Sequence, residues 1–448
     1  MDRLVVSNVL EWGIQPERRE LPECAPPPAR ERFGPEDMAL CWSGDRKVVV
    51  TRHPLDDGHV ADVSRILGYQ EVHCVALPPG RAGNSLSADL AGDERTLGQV
   101  LDLIQDGPAD GPVVIEGCAS TPEYAQLIDR IRARSRRPVT DWMTPAQHLD
   151  LNGRLDSKLH AREYFEAALP GCAAMRLTRA VALRTGPDLV TEVQQAVPRL
   201  APAILKTEFG AGGHAMAIIR SSDDAGRAIA GALPAGYQGH LLIEEFLGHG
   251  SDLLSVSYNG LVQEDGKVFS LAAGAHFLSA GKFYLGSHLG VGSMPADCAA
   301  KVRTASEAIG AAAGAAGYRG PLNIDFLYRR SDGVIFPLEI NPRRTLGATL
   351  AEVCISLFGL GYEKIVSAVA LHTVPVHRTI RTYPELRDAL LRKGWLGRES
   401  PGLIVLPYMV TSLATQSVIG LAVLGVDGTP AGEALSEITS YLARRRWR

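Results

Sequence analysis

The sequence has no Cys-x-x-Cys pair, and its seven cysteines are scattered and odd in number. That excludes a disulfide framework and a thiolate zinc site, and it points to reduced thiols in a cytoplasmic setting. Charge of neither sign is in excess. A formal net charge of −4 argues against a chain built mainly for nucleic acid, and the basic run Arg444–Arg445–Arg446 reads as a solvated helix end. No basic leader with an apolar core opens the chain, where Asp2 and Glu11 stand instead, so no secretory signal is expected. Internal repeats and low-complexity tracts are missing. One uncharged stretch, Leu403–Val426, is long enough to span a bilayer. Thr411, Ser412, Thr415, Gln416 and Ser417 interrupt it between "LIVLPYMV" and "VIGLAVLGV", which predicts two buried strands joined by a polar loop and no membrane partner. Phosphate fingerprints are missing too: no G-x-x-x-x-G-K-[ST] occurs, and no glycine fingerprint follows the early strands. No biotin or coenzyme A motif stands out.

What is present is long and alternating. A chain of 448 residues exceeds one compact core and predicts several lobes. The runs "KVVVT", "EVHCVAL" and "PVVIEG" alternate with the helical patterns "ERTLGQVLDLIQD" and "PEYAQLIDRIRARS". This predicts an N-terminal α/β domain over 1–150 with a largely parallel sheet. From 151 the order becomes helix, strand, glycine loop, strand, helix, strand. That reads as an α+β lobe over 151–250. "SKLHAREYFEAAL" is its first helix, with Ser157 or Asp156 as cap. Residues 251–448 form a strand-rich remainder, with an Ala/Gly-rich helix near 299–316 and a last helix at 430–446.

The chemistry starts with a hairpin. "PLNIDFLYRR" and "VIFPLEINPRR" flank Ser331-Asp332-Gly333, a three-residue loop with Gly333 left-handed. Counting from that loop, Arg330 faces Val334, Asp325 faces Glu339 and Asn323 faces Asn341. Alternation puts these four site residues on one face, and Ile324, Phe326, Leu338 and Ile340 on the other. Two facing carboxylates repel, and a divalent cation would relieve them. Oxygen-only ligands favour magnesium or manganese; a solvated polar face is the plainer alternative. Arg343 and Arg344 emerge beyond the proline, where a guanidinium can hold phosphate, and alternation turns Arg344 away from Arg343.

A second segment, "AILKTEFGAGGHAMAII", joins two strands through Gly210, Gly212 and Gly213, just after Lys206. Glycines there permit motion and close backbone approach to phosphate, although a flexible hairpin would look the same. A third, "LLIEEFLGHGSD", runs from a buried strand into an acidic end, where backbone groups can meet adenine and Asp252 a ribose. An edge strand with a solvated end is the alternative.

In this order, "ILKTEFGAGG", "LLIEEFLGHGSD", "NIDF" and "LEINPR" resemble the ATP-grasp superfamily of ATP-dependent carboxylate–amine ligases, over about 150 to 350. The resemblance implies a pre-ATP-grasp α/β domain followed by a two-lobed ATP-grasp fold. It implies ATP and magnesium (or manganese), with Lys158 and Lys206 on the phosphates and Glu244 or Glu245 with Leu247 at the adenine hinge. It further implies Asp252 on ribose, Asp325, Glu339 and Asn341 on metal, and Arg343 on the transferred phosphoryl group. Asp252 and Asp325 stand where the family often has glutamate. The whole organisation is similar to actinobacterial peptide ligases of the pheganomycin type. The implied substrates are a small carboxylate and the amine of an amino acid or peptide, and a homodimer fits the class. A carboxylase, a thiol ligase or a nucleotide-binding regulator are the other readings. His276, Lys282, Ser287, His288 and Ser293 are candidates for the acceptor pocket.

Overall fold

The computed structural model describes residues 1–14, 35–42, 44–78, 85–106, 111–210, 215–233, 237–248, 250–279 and 283–444. The first unit is a parallel sheet of β1 (Arg3–Val6), β2 (Arg46–Thr51), β3 (Glu71–Ala76), β4 (Val113–Gly117) and β5 (Val139–Asp141), in the order β3-β2-β1-β4-β5. Val48, Val49 and Val50 are all buried, as expected where helices cover both faces of a parallel sheet. β1 and β5 have four and three residues, too few to show a period in the sequence. The helices are bounded by ordinary caps. Asp56 accepts from His59 N at 3.0 Å, and Gly68, at φ 76°, ends Asp57–Leu67. Thr121 caps Pro122–Arg134 with proline in its first turn.

The second unit is an antiparallel sheet of β6 (Ala180–Arg184), β7 (Ala203–Thr207), β8 (Met216–Ile219) and β9 (His240–Glu245), in the order β6-β9-β7-β8. Helices Leu189–Leu200 and Ala225–Ala232 bury Leu205, Ile219, Leu241 and Ile243 on one face. Alternation therefore turns Lys206 and Glu244 to the opposite face. The helix expected over 157–169 is shorter, Ala161–Ala168, and a separate helix, Asp150–Asp156, precedes it. Ser157 makes the break: its hydroxyl accepts from His160 N at 3.3 Å and donates to Glu208 at 2.6 Å.

The third unit is an eight-stranded antiparallel sheet. Its strands are β10 (Leu253–Val262), β11 (Val268–Ser279), β12 (Phe283–Gly290), β13 (Gly320–Arg329), β14 (Val334–Asn341), β15 (Val366–Pro375), β16 (Leu403–Met409) and β17 (Val418–Val426), ordered β14-β13-β10-β11-β12-β15-β17-β16. Helix Ala296–Ala315 packs on Val256, Tyr258 and Ile324. Helix Leu346–Phe358 packs on the other face, on Ala272 and Leu289, in a core that also holds Val5, Val49 and Trp42 of the first unit. The uncharged stretch Leu403–Val426 supplies β16 and β17. Among the described residues no helix is long and apolar enough to cross a membrane.

The hairpin of β13 and β14 pairs Asp325 with Glu339 and Asn323 with Asn341, and Gly333 has φ 67°. The turn differs from the expected one. Arg329, not Arg330, faces Val334, and a bulge between Asp325 and Phe326 restores the register. The extra residue is Leu338, which lines the cleft described below instead of lying on the opposite face.

Candidate active site

A cleft of about 400 Å³ opens between the four-stranded and eight-stranded sheets. Lys158, Lys206, Gly210, Glu244, Glu245, Leu247, Asp325, Glu339, Asn341 and Arg343 all line it. Segments far apart in sequence thus meet in one place. Gly212, Gly213 and Lys282 lie outside the described residues.

At one end lies the carboxylate pair. Asp325 Oδ1 is buried and has no hydrogen-bond partner, while Oδ2 accepts from Asn341 Nδ2 at 3.3 Å. Burial, reinforced by the facing Glu339, pushes the Asp325 carboxyl well above the usual carboxylate range. Burial also pushes Glu339 upward, but Lys158 and Lys206 outweigh it and hold Glu339 below that range. Lys158 Nζ lies 3.2 Å from Glu339 Oε2. The pair is therefore lopsided: one carboxylate is matched by a cation, and the other has a buried oxygen without a hydrogen bond, 3.7 Å from the uncharged His276 ring. A hard divalent cation fits that donor set, and the oxygen without a hydrogen bond is what it would satisfy. Among the described residues no group of three or more His, Cys, Asp or Glu is arranged to hold a metal ion by itself. A cation here would thus rest on the two carboxylates, beside the Asn341 oxygen that accepts from Arg343 at 2.7 Å, leaving open positions for phosphate oxygens.

Arg343 is held by a fork. One nitrogen donates to Asp156 at 2.5 Å and the other to Asn341 Oδ1 at 2.7 Å. Asn341 passes the contact to Asn323 at 2.8 Å, and Asn323 reaches Asn259 at 3.2 Å. Asp156 is thus a functional neighbour that the sequence presents only as a candidate helix cap. Arg344 turns the other way, as alternation predicts. It donates to Glu352 at 3.0 Å and to Gly117 O at 2.7 Å, pairs with Glu116, and lies over the Trp42 ring.

At the other end Lys206 pairs with Glu244 at 2.9 Å, and Thr178 donates to the second Glu244 oxygen at 2.8 Å. Glu245 turns outward to Arg179 at 2.7 Å. Lys158 also donates to Gly210 O at 3.1 Å, joining the glycine loop to the carboxylate pair. Asp252 does not line the cleft. Both its oxygens accept from Ser331, at 2.8 Å each, because the pairing of Leu253 with Arg329 carries Asp252 to the β13–β14 turn.

The floor beyond the carboxylates is neutral. Ser255 bonds His276 at 3.2 Å, and Tyr284 bonds Ser287 at 2.7 Å. Burial pushes His276 down to about 4, so it is uncharged near neutrality. His276 and Ser287 line the cleft, while His288 and Ser293 do not; His288 bonds Ser367 at 3.0 Å instead.

No family model matches the sequence, and no curated protein is significantly similar to it. Solved structures do share its shape. N5-carboxyaminoimidazole ribonucleotide synthetase from Thermus thermophilus is 15% identical, with TM-score 0.54 and 100% of each chain covered. Biotin carboxylase from Campylobacter jejuni, solved as a β-γ-ATP complex, is 12% identical, with TM-score 0.58 over 98% of this chain and 90% of that one. The biotin carboxylase domain of Hydrogenobacter thermophilus 2-oxoglutarate carboxylase, solved with MgADP, ADP and bicarbonate, is 13% identical, with TM-score 0.57 over 98% and 89%. At such identities the likeness is one of fold. These neighbours are ATP-grasp enzymes, and over nearly its whole length this chain has the ATP-grasp fold.

Proposed function

We propose that the protein is an ATP-dependent ligase joining a carboxylate to the amine of an amino acid or peptide. The observation that carries this reading is the convergence of Lys158, Lys206, Arg343 and the Asp325–Glu339 pair on one cleft, with a buried carboxylate oxygen left without a hydrogen bond. In the proposed reaction a carboxylate oxygen of the substrate attacks the γ-phosphorus and ADP leaves. The amine nitrogen then attacks the acyl carbon of the acyl phosphate, the C–O bond breaks, and phosphate leaves while the amine gives up a proton.

The protein's part is positioning and charge complementarity. Lys158 and Lys206 hold phosphate oxygens as point charges. Arg343, clamped by Asp156 and Asn341, presents its remaining donor edge to the reacting oxygens in a fixed orientation. A magnesium ion bound by Asp325 and Glu339, beside Asn341, would neutralise phosphate charge. The glycine segment around Gly210, Gly212 and Gly213 would close over the acyl phosphate and exclude water. Glu244, Glu245 and Leu247 would meet a purine through the backbone at the end of β9. The finer assignment to the pheganomycin type rests on the overall organisation of the sequence alone.

A carboxylase is the second reading, because the similar structures include biotin carboxylases and a carboxyaminoimidazole ribonucleotide synthetase. One assay separates the two. Purified protein with ATP and magnesium is offered bicarbonate alone, then a panel of amino acids and short peptides, singly and in pairs. We expect ADP release that requires an organic carboxylate and an amine, with an amide product by mass spectrometry. ADP release driven by bicarbonate without amide formation overturns the ligase reading.

A further inference from the structure

The two cleft lysines are used differently. Lys206 is matched within its own lobe, by Glu244 on the neighbouring strand. Lys158 is not. Its backbone is anchored at the break between two helices, where Lys158 N donates to Glu208 O at 3.1 Å and Ser157 holds the Glu208 carboxylate at 2.6 Å. From that anchor beside the four-stranded sheet the side chain crosses to the eight-stranded sheet. Its ammonium ends 3.2 Å from Glu339 Oε2 and 3.1 Å from Gly210 O. The Lys158 side chain is 7% exposed, so little water competes for the contact.

We propose that Lys158 occupies the cation's place against Glu339 while no nucleotide is bound, making metal binding at the hairpin conditional on nucleotide. The proposal rests on Asp325 and Glu339 being the metal carboxylates. A divalent cation and an ammonium cannot share Glu339 Oε2 without strong like-charge repulsion. Phosphate gives the ammonium another partner, and the carboxylate is then released to the metal. The same motion frees Gly210 O, so the end of the glycine loop is released together with the metal ligand. Lys158 is on this account a residue that orders the binding steps as well as a phosphate ligand.

The test uses Mn²⁺ as the probe, with the free-ion EPR signal read in nucleotide-free protein. Lys158→Met keeps the volume of the side chain and removes its charge. We expect this variant to bind Mn²⁺ at least about tenfold more tightly than wild type, since close charge pairs couple by more than the 1.4 kcal/mol that tenfold requires. Lys206→Met should gain far less, and adding Glu339→Gln to Lys158→Met should remove the gain. ADP binding should weaken in Lys158→Met, opposite in sign to the metal effect. Equal Mn²⁺ affinity in Lys158→Met and wild type, with wild-type binding lost in Glu339→Gln, overturns the proposal and leaves the metal reading standing. Equal gains in both lysine variants overturn it in favour of a diffuse field. Mn²⁺ binding that is indifferent to Glu339 in every background overturns the metal reading itself. Near-UV circular dichroism of each variant shows whether its fold is retained.

Discussion

Arg343 differs from an ordinary surface arginine because both ends of its guanidinium are already fixed. Asp156 and Asn341 hold it at 2.5 and 2.7 Å. A lysine at 343 can meet one of these partners but not both, and presents no planar edge. Arg343→Lys should therefore lower kcat on the order of a hundredfold, the usual loss when one preorganised donor is removed. ATP affinity should change far less, because Lys158 and Lys206 remain. Steady-state kinetics with ATP titration decide this, and an unchanged kcat would mean that Arg343 is only structural. Single residues were legible in the sequence to the extent that local geometry sets them. Period-two alternation puts Asp325 and Glu339 on one face, whereas the choice between Glu244 and Glu245 rests on the pairing of β9 with β7. The partner of Arg343 was not legible, because Asp156 lies 187 residues away and no local pattern couples them. Asp252 misled for a similar reason: the β10–β13 register, not its neighbours in sequence, delivers it to Ser331.

Elements carry a second kind of information, and the hairpin shows its limit. Pairing of Asp325 with Glu339 follows from counting back from the turn, but two compensating shifts lie along the way. The turn starts one residue early, and Leu338 is the extra residue that restores the register. Bulges depend on the twist a sheet needs and leave no mark in a pattern of apolar and polar residues. Short strands escape for a different reason, as β5 does with three residues. Its last residue, Asp141, gives an element-scale prediction. Burial raises the Asp141 carboxyl to about 6, although it accepts from Met143 N at 3.0 Å and Tyr124 at 3.4 Å. The folded pKa lies above the ordinary value near 4, so the fold favours the neutral acid. Its contribution is whole below about pH 4 and is lost as pH rises through about 6. Asp141→Asn should flatten this loss and melt higher than wild type at pH 7, with the difference vanishing toward pH 4. A difference in Tm that stays constant over that range would show that Asp141 is not protonated in the folded state.

At the scale of the molecule the question is how the N-terminal sheet and the large sheet hold one geometry around the cleft. The sequence announces these units by composition and strand order, but not their seam, which is built from contacts hundreds of residues apart. Arg344 is at its centre. It follows the catalytic candidate Arg343 directly and reaches back into the first unit, to Glu116 and Gly117 O, while Glu352 of the helix Leu346–Phe358 takes its third nitrogen. Arg3 pairs with the same Glu116, and Arg344 N donates to Cys118 O at 2.8 Å. Glu116 and Glu352 are buried, so each needs a charge-assisted partner to offset its desolvation. Substituting Arg344→Lys keeps one charge but cannot satisfy two carboxylates and a carbonyl at once. It should cost about 2 kcal/mol, below the 3–5 kcal/mol of a fully broken buried pair, and be read as a lower urea midpoint. The loss falls on the seam, so it should also split the transition: the N-terminal unit and the large sheet share one core around Val5, Trp42 and Leu350 and ought to unfold together while Arg344 is intact. Unfolding followed by tryptophan fluorescence and by far-UV circular dichroism should coincide in wild type and separate in Arg344→Lys. Coincident curves with an unshifted midpoint in the variant would mean that the apolar core alone joins the two units, and that Arg344 does no more than fill the space beneath Trp42.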